Sequence, residues 1–199
     1  MKTRFARLLL VLTCVGLATP AMAQEPDLQK LFEAGKFQEV VEKTPADAPP
    51  DAQYRKGLAH RKLDQNDQAK EAFGRLSGAG DAWNAVGESA RAQIDGNLDG
   101  ALEAATKAVA QGPDVAAAHY QLGLVQEARG ENATAATEFA RAAEIDPQMA
   151  YAHYMAGMSF YKAKRVDKMA VYFENFLRLA PSAPEAPAVQ SIMKTVRGR

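Results

Sequence analysis

Cysteine occurs once in these 199 residues, at Cys14, and histidine only three times, at His60, His119 and His153. The lone cysteine lies inside the first apolar stretch, so a chain processed beyond it would hold no disulfide, no thiolate metal site and no cysteine nucleophile. His119 and His153, at equivalent places one repeat apart, have no carboxylate or cysteine recurring beside them at a metal-ligand spacing such as i, i+4, which points to packing and to no metal site. Charge of one sign is also missing: 24 basic residues face 24 acidic ones, which gives no basic footprint for nucleic acid. Nucleophile elbow, phosphate loop and acid pair are absent, so the chain offers no catalytic constellation and no cofactor site. The glycines of Gly96-Asn97-Leu98-Asp99-Gly100 look phosphate-like, but they fall where a turn between helices is expected. No apolar run is long enough to cross a bilayer comfortably; that of residues 8–18 has roughly half the length needed.

That short run has its own meaning. Lys2, Arg4 and Arg7 precede it, and Ala21-Met22-Ala23 places small residues at the two recognition positions of a secretory cleavage site before Gln24. Basic start, apolar stretch and small-residue site form the three-part pattern of a signal peptide over residues 1–23. A retained N-terminal anchor is the competing reading, and acylation at Cys14 a weaker one, because Thr13 fits it poorly. Cleavage would remove three basic residues and no acid, leaving 24 acidic against 21 basic residues and a net charge of −3. An exported protein without a stable membrane span is expected, periplasmic in a bacterium with an outer membrane. With no staple, an ordinary apolar core must hold it.

What is present is a period. "AAAHYQLG" begins at Ala116 and "AYAHYMAG" at Ala150. Gly123 and Gly157, Phe139 and Phe173, and Pro113, Pro147 and Pro181 all recur at that same interval. Independent markers sharing one interval mean stacked supersecondary units. Ala, Glu, Lys, Arg, Gln and Leu dominate and β-branched residues are few, so each unit is a helix pair.

One unit reads His119-x2-Leu122-Gly123-x2-Gln126, Ala135-x3-Phe139, Pro147; the next reads His153-x2-Ala156-Gly157-x2-Phe160, Met169-x3-Phe173, Pro181. An earlier one reads Lys56-Gly57-x2-His60, Ala69-x3-Phe73, with Asp81 in the proline place. These patterns resemble the tetratricopeptide repeat family. The histidines stand where the family has tryptophan, and Gln126 and His60 replace aromatics. The resemblance covers residues 50–183, divided at about 50–81, 82–115, 116–149 and 150–183. It implies an all-α fold, a right-handed superhelical solenoid of antiparallel helix pairs. Two registers compete over 77–100: counting back from Pro113 puts Ser89 in the glycine place, whereas Trp83-x2-Val86-Gly87 shifts the first helix by two.

The flanks are consistent with a solenoid. Residues 24–49 read as a shortened helix pair broken near Ala34-Gly35, followed by a proline-rich connector that cannot be helical. In 184–199, Val189, Ile192, Met193 and Val196 fall at i, i+3, i+4, i+7, one apolar stripe. A cap over the last repeat's open face is the expected role, and a docking peptide for another protein the alternative.

Partner-binding candidates come from a second stripe on the first helices. Tyr151, Tyr154, Met158 and Tyr161 stand about 200° around the helix from His153, Ala156, Gly157 and Phe160. Tyr120 and Leu124 fill matching places one unit earlier, Tyr54 and Leu58 two units before that, and Trp83 is the candidate between. In the resembled family this is the concave face, where peptides bind. Tyrosine gives rigid amphipathic contact suited to peptide recognition; the same residues could instead pack between repeats. The places where some family members carry a Lys, Arg and Asn carboxylate clamp hold tyrosine and aliphatics here, so an apolar or aromatic ligand segment is expected. The basic cluster 162–168 falls at a turn, where it is either solvated or a site for an anionic partner. Two functions follow. One is a non-catalytic adaptor of the cell envelope that holds another protein or peptide in an aromatic groove. The other is a structural subunit or assembly factor working through its outer face, cap helix or self-association. A tyrosine groove open to solvent favours the first, and a groove filled by the chain's own N-terminal segment the second.

Overall fold

The computed structural model describes residues 27–198. The signal pattern and its Ala21-Met22-Ala23 site lie outside the described residues. Eleven helices follow one another among the described residues, with no strand. A short N-terminal hairpin, α1 (Leu28–Glu33) and α2 (Phe37–Lys43), precedes four antiparallel pairs: α3 (Pro50–Lys62) with α4 (Asn66–Gly74), α5 (Asp81–Ile94) with α6 (Leu98–Gln111), α7 (Ala116–Ala128) with α8 (Asn132–Ile145), and α9 (Ala150–Lys162) with α10 (Val166–Leu179). Each helix packs on its successor, which makes a helical solenoid. The last element, α11 (Ala186–Arg197), lies on α10 and buries Val189 and Met193, closing the apolar face that a terminal repeat leaves open.

Local chemistry explains the pairing. Gly57, Gly123 and Gly157 each face a phenylalanine of the helix that follows, Phe73, Phe139 and Phe173 in turn. A Cβ on Gly123 would stand 2.8 Å from the Phe139 ring, so glycine is what lets the ring lie flat against the partner helix. All three phenylalanines are buried. In the pair α5/α6 the corresponding places hold Ser89 and Ala105: the large residue is gone and the small one has gained a hydroxyl, which donates to the Ala101 carbonyl at 2.8 Å. The second helices α6, α8 and α10 start at Leu98, Asn132 and Val166, one full period apart, and α5 starts at Asp81. The register counted back from Pro113 is therefore the one adopted. Gly87 serves a different contact. Its Cβ would meet the Phe73 carbonyl of α4, so it is the approach of successive pairs that needs glycine there.

The tight turns inside the pairs repeat as well. Asp64, Gly96, Gly130 and Lys164 all take left-handed backbone conformations, with φ of 57°, 78°, 81° and 59°. Gly96 is thereby accounted for as a turn residue, and the Asn97 carboxamide caps α6 by accepting from Gly100 N at 3.0 Å. The recurring histidines have a structural task. His119 and His153 donate through Nε2 to the carbonyls of Pro113 and Pro147 at 3.1 and 3.2 Å, tying each first helix to the turn that precedes it. His153 Nδ1 has no partner, and burial holds the ring's pKa below its ordinary value, so it stays neutral. In the basic cluster, Lys162 pairs with Glu127, Arg165 with Asp167, and Lys168 lies 5.3 Å over the Phe160 ring.

Candidate functional site on the concave face

The inner surface is built by the first helices, and it is not open. Tyr54 from α3, Trp83 from α5, Tyr120 from α7 and Tyr151 from α9 converge on one space, and Phe32 of α1 reaches into it. Its ring meets Tyr151 edge-on at 5.1 Å and Phe37 at 5.2 Å. What remains between α1 and the first helices is a cavity of about 350 Å³, lined by these aromatics with Leu58, Val115 and Met149. Asp51, Arg55, Asp114 and Asp146 also border it, toward solvent. A smaller recess on the other side of Phe32 is lined by Leu58, Arg61, Lys62, Tyr120, Leu124, Tyr151 and Met155.

The nine residues expected on this surface therefore fall into three groups. Tyr54, Leu58, Tyr120 and Tyr151 line the cavity and are buried, at 3%, 9%, 5% and 3% exposure. Trp83 lines it half-buried, and Leu124 is half-buried in the adjoining recess. Tyr154 and Met158 are half-buried away from both spaces, Tyr154 against Phe176 at 5.1 Å, and Tyr161 is exposed. The buried tyrosines belong to the concave face and to the core at once. Tyr120 stacks edge-on against Phe139 at 5.3 Å, and Tyr54 stands 5.6 Å from Phe73 and 6.4 Å from Trp83.

Beneath the aromatics lies a polar network that periodicity does not reveal. The Tyr54 hydroxyl donates to Gln121 Oε1 at 2.9 Å, and Gln121 Nε2 donates to Ser89 Oγ at 3.3 Å and Gln93 Oε1 at 3.2 Å. Arg61 Nη1 also donates to Gln93 Oε1, at 3.0 Å. Three successive first helices are thus joined through Gln121, which is fully buried. Burial drives the pKa values of Tyr54, Tyr120 and Tyr151 well above the ordinary tyrosine value, so all three hydroxyls remain neutral.

The N-terminal hairpin meets the far end of the solenoid in two places: α1 bonds directly to α9 and the turn before it, and the Gly35 turn abuts Pro184 beside the Lys62–Glu185 pair. Glu33 Oε1 accepts from Ala150 N at 3.1 Å, capping α9 from outside, while Gln29 Nε2 donates to the Gln148 carbonyl at 2.7 Å and to Glu33 at 3.1 Å. Burial raises the Glu33 pKa, partly offset by the Ala150 and Gln29 donors. At the rim, Lys62 Nζ pairs with Glu185 at 2.9 Å and lies 4.9 Å over the Tyr151 ring, and Tyr151 Oη donates to Glu185 at 2.8 Å. Burial alone would raise Glu185, but Lys62 and Tyr151 outweigh it and hold the carboxyl below its ordinary pKa. Gly35, at φ 73°, abuts Pro184, where a side chain would collide with the proline ring. Among the described residues no group of three or more His, Cys, Asp or Glu is placed to hold a metal ion, and no helix is long and apolar enough to cross a membrane.

Two family models, both described as tetratricopeptide repeat, match residues 95–150 and residues 51–77 and 151–183, together more than half of the chain. The chain belongs to the tetratricopeptide repeat family. This tetratricopeptide repeat scaffold supports a protein-interaction role. Among solved structures, the chain is similar to YrrB, described as a TPR protein with an unusual peptide-binding site: 18% identity, 82% of this chain and 88% of that one covered, TM-score 0.53. It is also similar to TTC0263, a thermophilic TPR protein of Thermus thermophilus, at 19% identity, 81% and 87% coverage and TM-score 0.53. Both likenesses are of fold. No curated protein matches the chain.

Proposed function

We propose that this protein is a non-catalytic interaction scaffold of the cell envelope that takes an apolar segment of a partner polypeptide on its concave face. The observation that carries this is the cavity of about 350 Å³ that four aromatic residues, one from each repeat, leave beside Phe32. It is large enough for one or two apolar side chains of a partner, and tyrosine and tryptophan are the residues that most often dominate binding. The envelope location is supported by the basic start, short apolar run and small-residue site within residues 1–23. The alternative, a structural subunit or assembly factor acting through its outer face or α11, is favoured by one fact: the chain's own α1 already lies on the concave face.

A photo-crosslinking residue at position 83, beside the same residue at position 171 on the 56% exposed Val171 of α10, separates the two in cells. Under the proposal a discrete polypeptide adduct forms at 83 and not at 171. Adducts confined to 171 would put the outer-face reading in its place. N-terminal sequencing of the same material tests export: a mature start at Gln24 is expected, and a chain retaining Met1 would end the envelope reading.

A further inference from the structure

We infer that α1 is the resident ligand of the concave face, and that the partner is a polypeptide presenting a short helix of the same pattern, an aromatic residue followed directly by a Glu or Gln whose side-chain oxygen accepts from Ala150 N, which exchanges with α1. This rests on the reading of the concave face as the partner site, and it names what that site recognises.

The argument starts from what α1 does there. Phe32 supplies the aromatic side chain that meets Tyr151, and Glu33 supplies the carboxylate that accepts from Ala150 N. The N-cap residue of α9, Met149, has no side chain able to do that, so the site's own helix leaves a backbone donor for a ligand to satisfy. Gln29, one turn before, donates to the Gln148 carbonyl. Anchor, cap and amide thus contact three separate features of α9 and the turn before it. All three come from one helical face, since i, i+3 and i+4 are neighbours on a helix.

The same facts make α1 replaceable. A helix of six residues is far below the length that is stable alone in water, so α1 owes its order to the surface it lies on. It is joined to α2 through the Ala34-Gly35-Lys36 turn, and Gly35 already holds a left-handed conformation there. Val40 of α2 is fully buried, so the hairpin divides at Gly35 into a part rooted in the core and a part laid on the groove. At the rim, Lys62 lies 5.8 Å over the Phe37 ring of α2 and pairs with Glu185, next to the Pro184 that abuts Gly35; the pair is partly solvent-exposed, and such pairs contribute little holding strength. A partner helix with the same pattern meets a preformed surface and regains the ring contact with Tyr151 and the cap on Ala150 N that α1 gives up.

The probe is a synthetic peptide of residues 27–36 carrying benzoylphenylalanine at position 32, photolysed with the full mature chain and mapped by mass spectrometry. Three proteins are compared: the wild type, Phe32→Ala, which removes the resident anchor, and Lys62→Ala, which opens the rim while leaving the anchor in place. Labelling is expected on α9 around Tyr151, about tenfold stronger in the two loosened variants than in the wild type, because the site is then free a larger fraction of the time. A peptide with alanine at position 33 should label weakly. Equal labelling of all three proteins, labelling away from the concave face, or indifference to position 33 would overturn the inference. Should Phe32→Ala not fold, Lys62→Ala carries the comparison alone. A Lys62→Ala protein that dimerises in sedimentation with α1 of one copy on α9 of the other would replace the foreign partner by self-exchange. Failure here together with adducts at position 83 would leave the site standing and remove only the pattern assigned to its ligand.

Discussion

Tyr120 and Phe139 touch, yet they come from different parts of the repeat pattern: Phe139 from the place that recurs with the period, Tyr120 from the stripe on the opposite side of its helix. Their rings are 5.3 Å apart and both are buried. A tyrosine on an open groove would keep water on one side and cost little stability when truncated. Tyr120 is buried instead, and the space in front of it is shared with Phe32. Phe139→Ala and Tyr120→Ala are therefore both expected to lose about 3–5 kcal/mol, the range for a buried aromatic. Half-buried Tyr154→Ala should lose about 1–2 kcal/mol and exposed Tyr161→Ala less than about 0.5. Denaturant unfolding of the four variants checks this order; a Tyr120→Ala loss under about 1 kcal/mol, typical of a wetter position, would show that the inner face is less dry than its packing indicates.

Turn residues carry the strain of the pairs. Gly130 and Lys164 hold equivalent left-handed positions, but only lysine has a Cβ to clash there. Lys164→Gly should stabilise the protein by about 0.5–1 kcal/mol, and Gly130→Ala should destabilise it by about 1 kcal/mol. Thermal melts giving the same sign for both would mean that the turns are not equivalent. These positions also show what a sequence carries at this level. The period was legible because Gly123 and Phe139 do the same mechanical job as Gly157 and Phe173 one repeat on, a ring laid on a bare backbone. The register of α5 was not, because Ser89 and Ala105 replace that pair with different chemistry, and because Gly87 offers a false glycine place that serves the contact with α4. The expected tyrosines were legible as a stripe of one helix, whereas Gln93 and Gln121, which join the first helices beneath them, repeat at no period and look like ordinary polar residues.

The closed form of the molecule depends on contacts between residues more than a hundred positions apart, such as Glu33 with Ala150 and Lys62 with Glu185. Nothing local in either segment announces the other, which is why the filling of the groove by α1 could be framed from the sequence only as an alternative. The two carboxylates that make the closure respond to pH in opposite directions. Glu33 has its pKa raised by burial, so its contribution is greatest below the ordinary glutamate pKa of about 4.3 and is lost as pH rises through the raised value. Glu185 has its pKa lowered by Lys62 and Tyr151 against the effect of burial, so its contribution is present above about 4.3 and is lost as pH falls through the lowered value. Glu33→Gln keeps an acceptor for Ala150 N without the cost of burying charge. Relative to the wild type, this variant should gain stability between about pH 4 and pH 7. Glu185→Gln should do the reverse, losing about 1 kcal/mol near pH 7 and approaching the wild type in acid, since a partly exposed pair is worth little more. Urea unfolding of the three proteins at both pH values reads the difference directly. Opposite slopes are the signature of two carboxylates closing one ring; parallel slopes would mean that Glu33 is solvated and that α1 does not seal the concave face in solution.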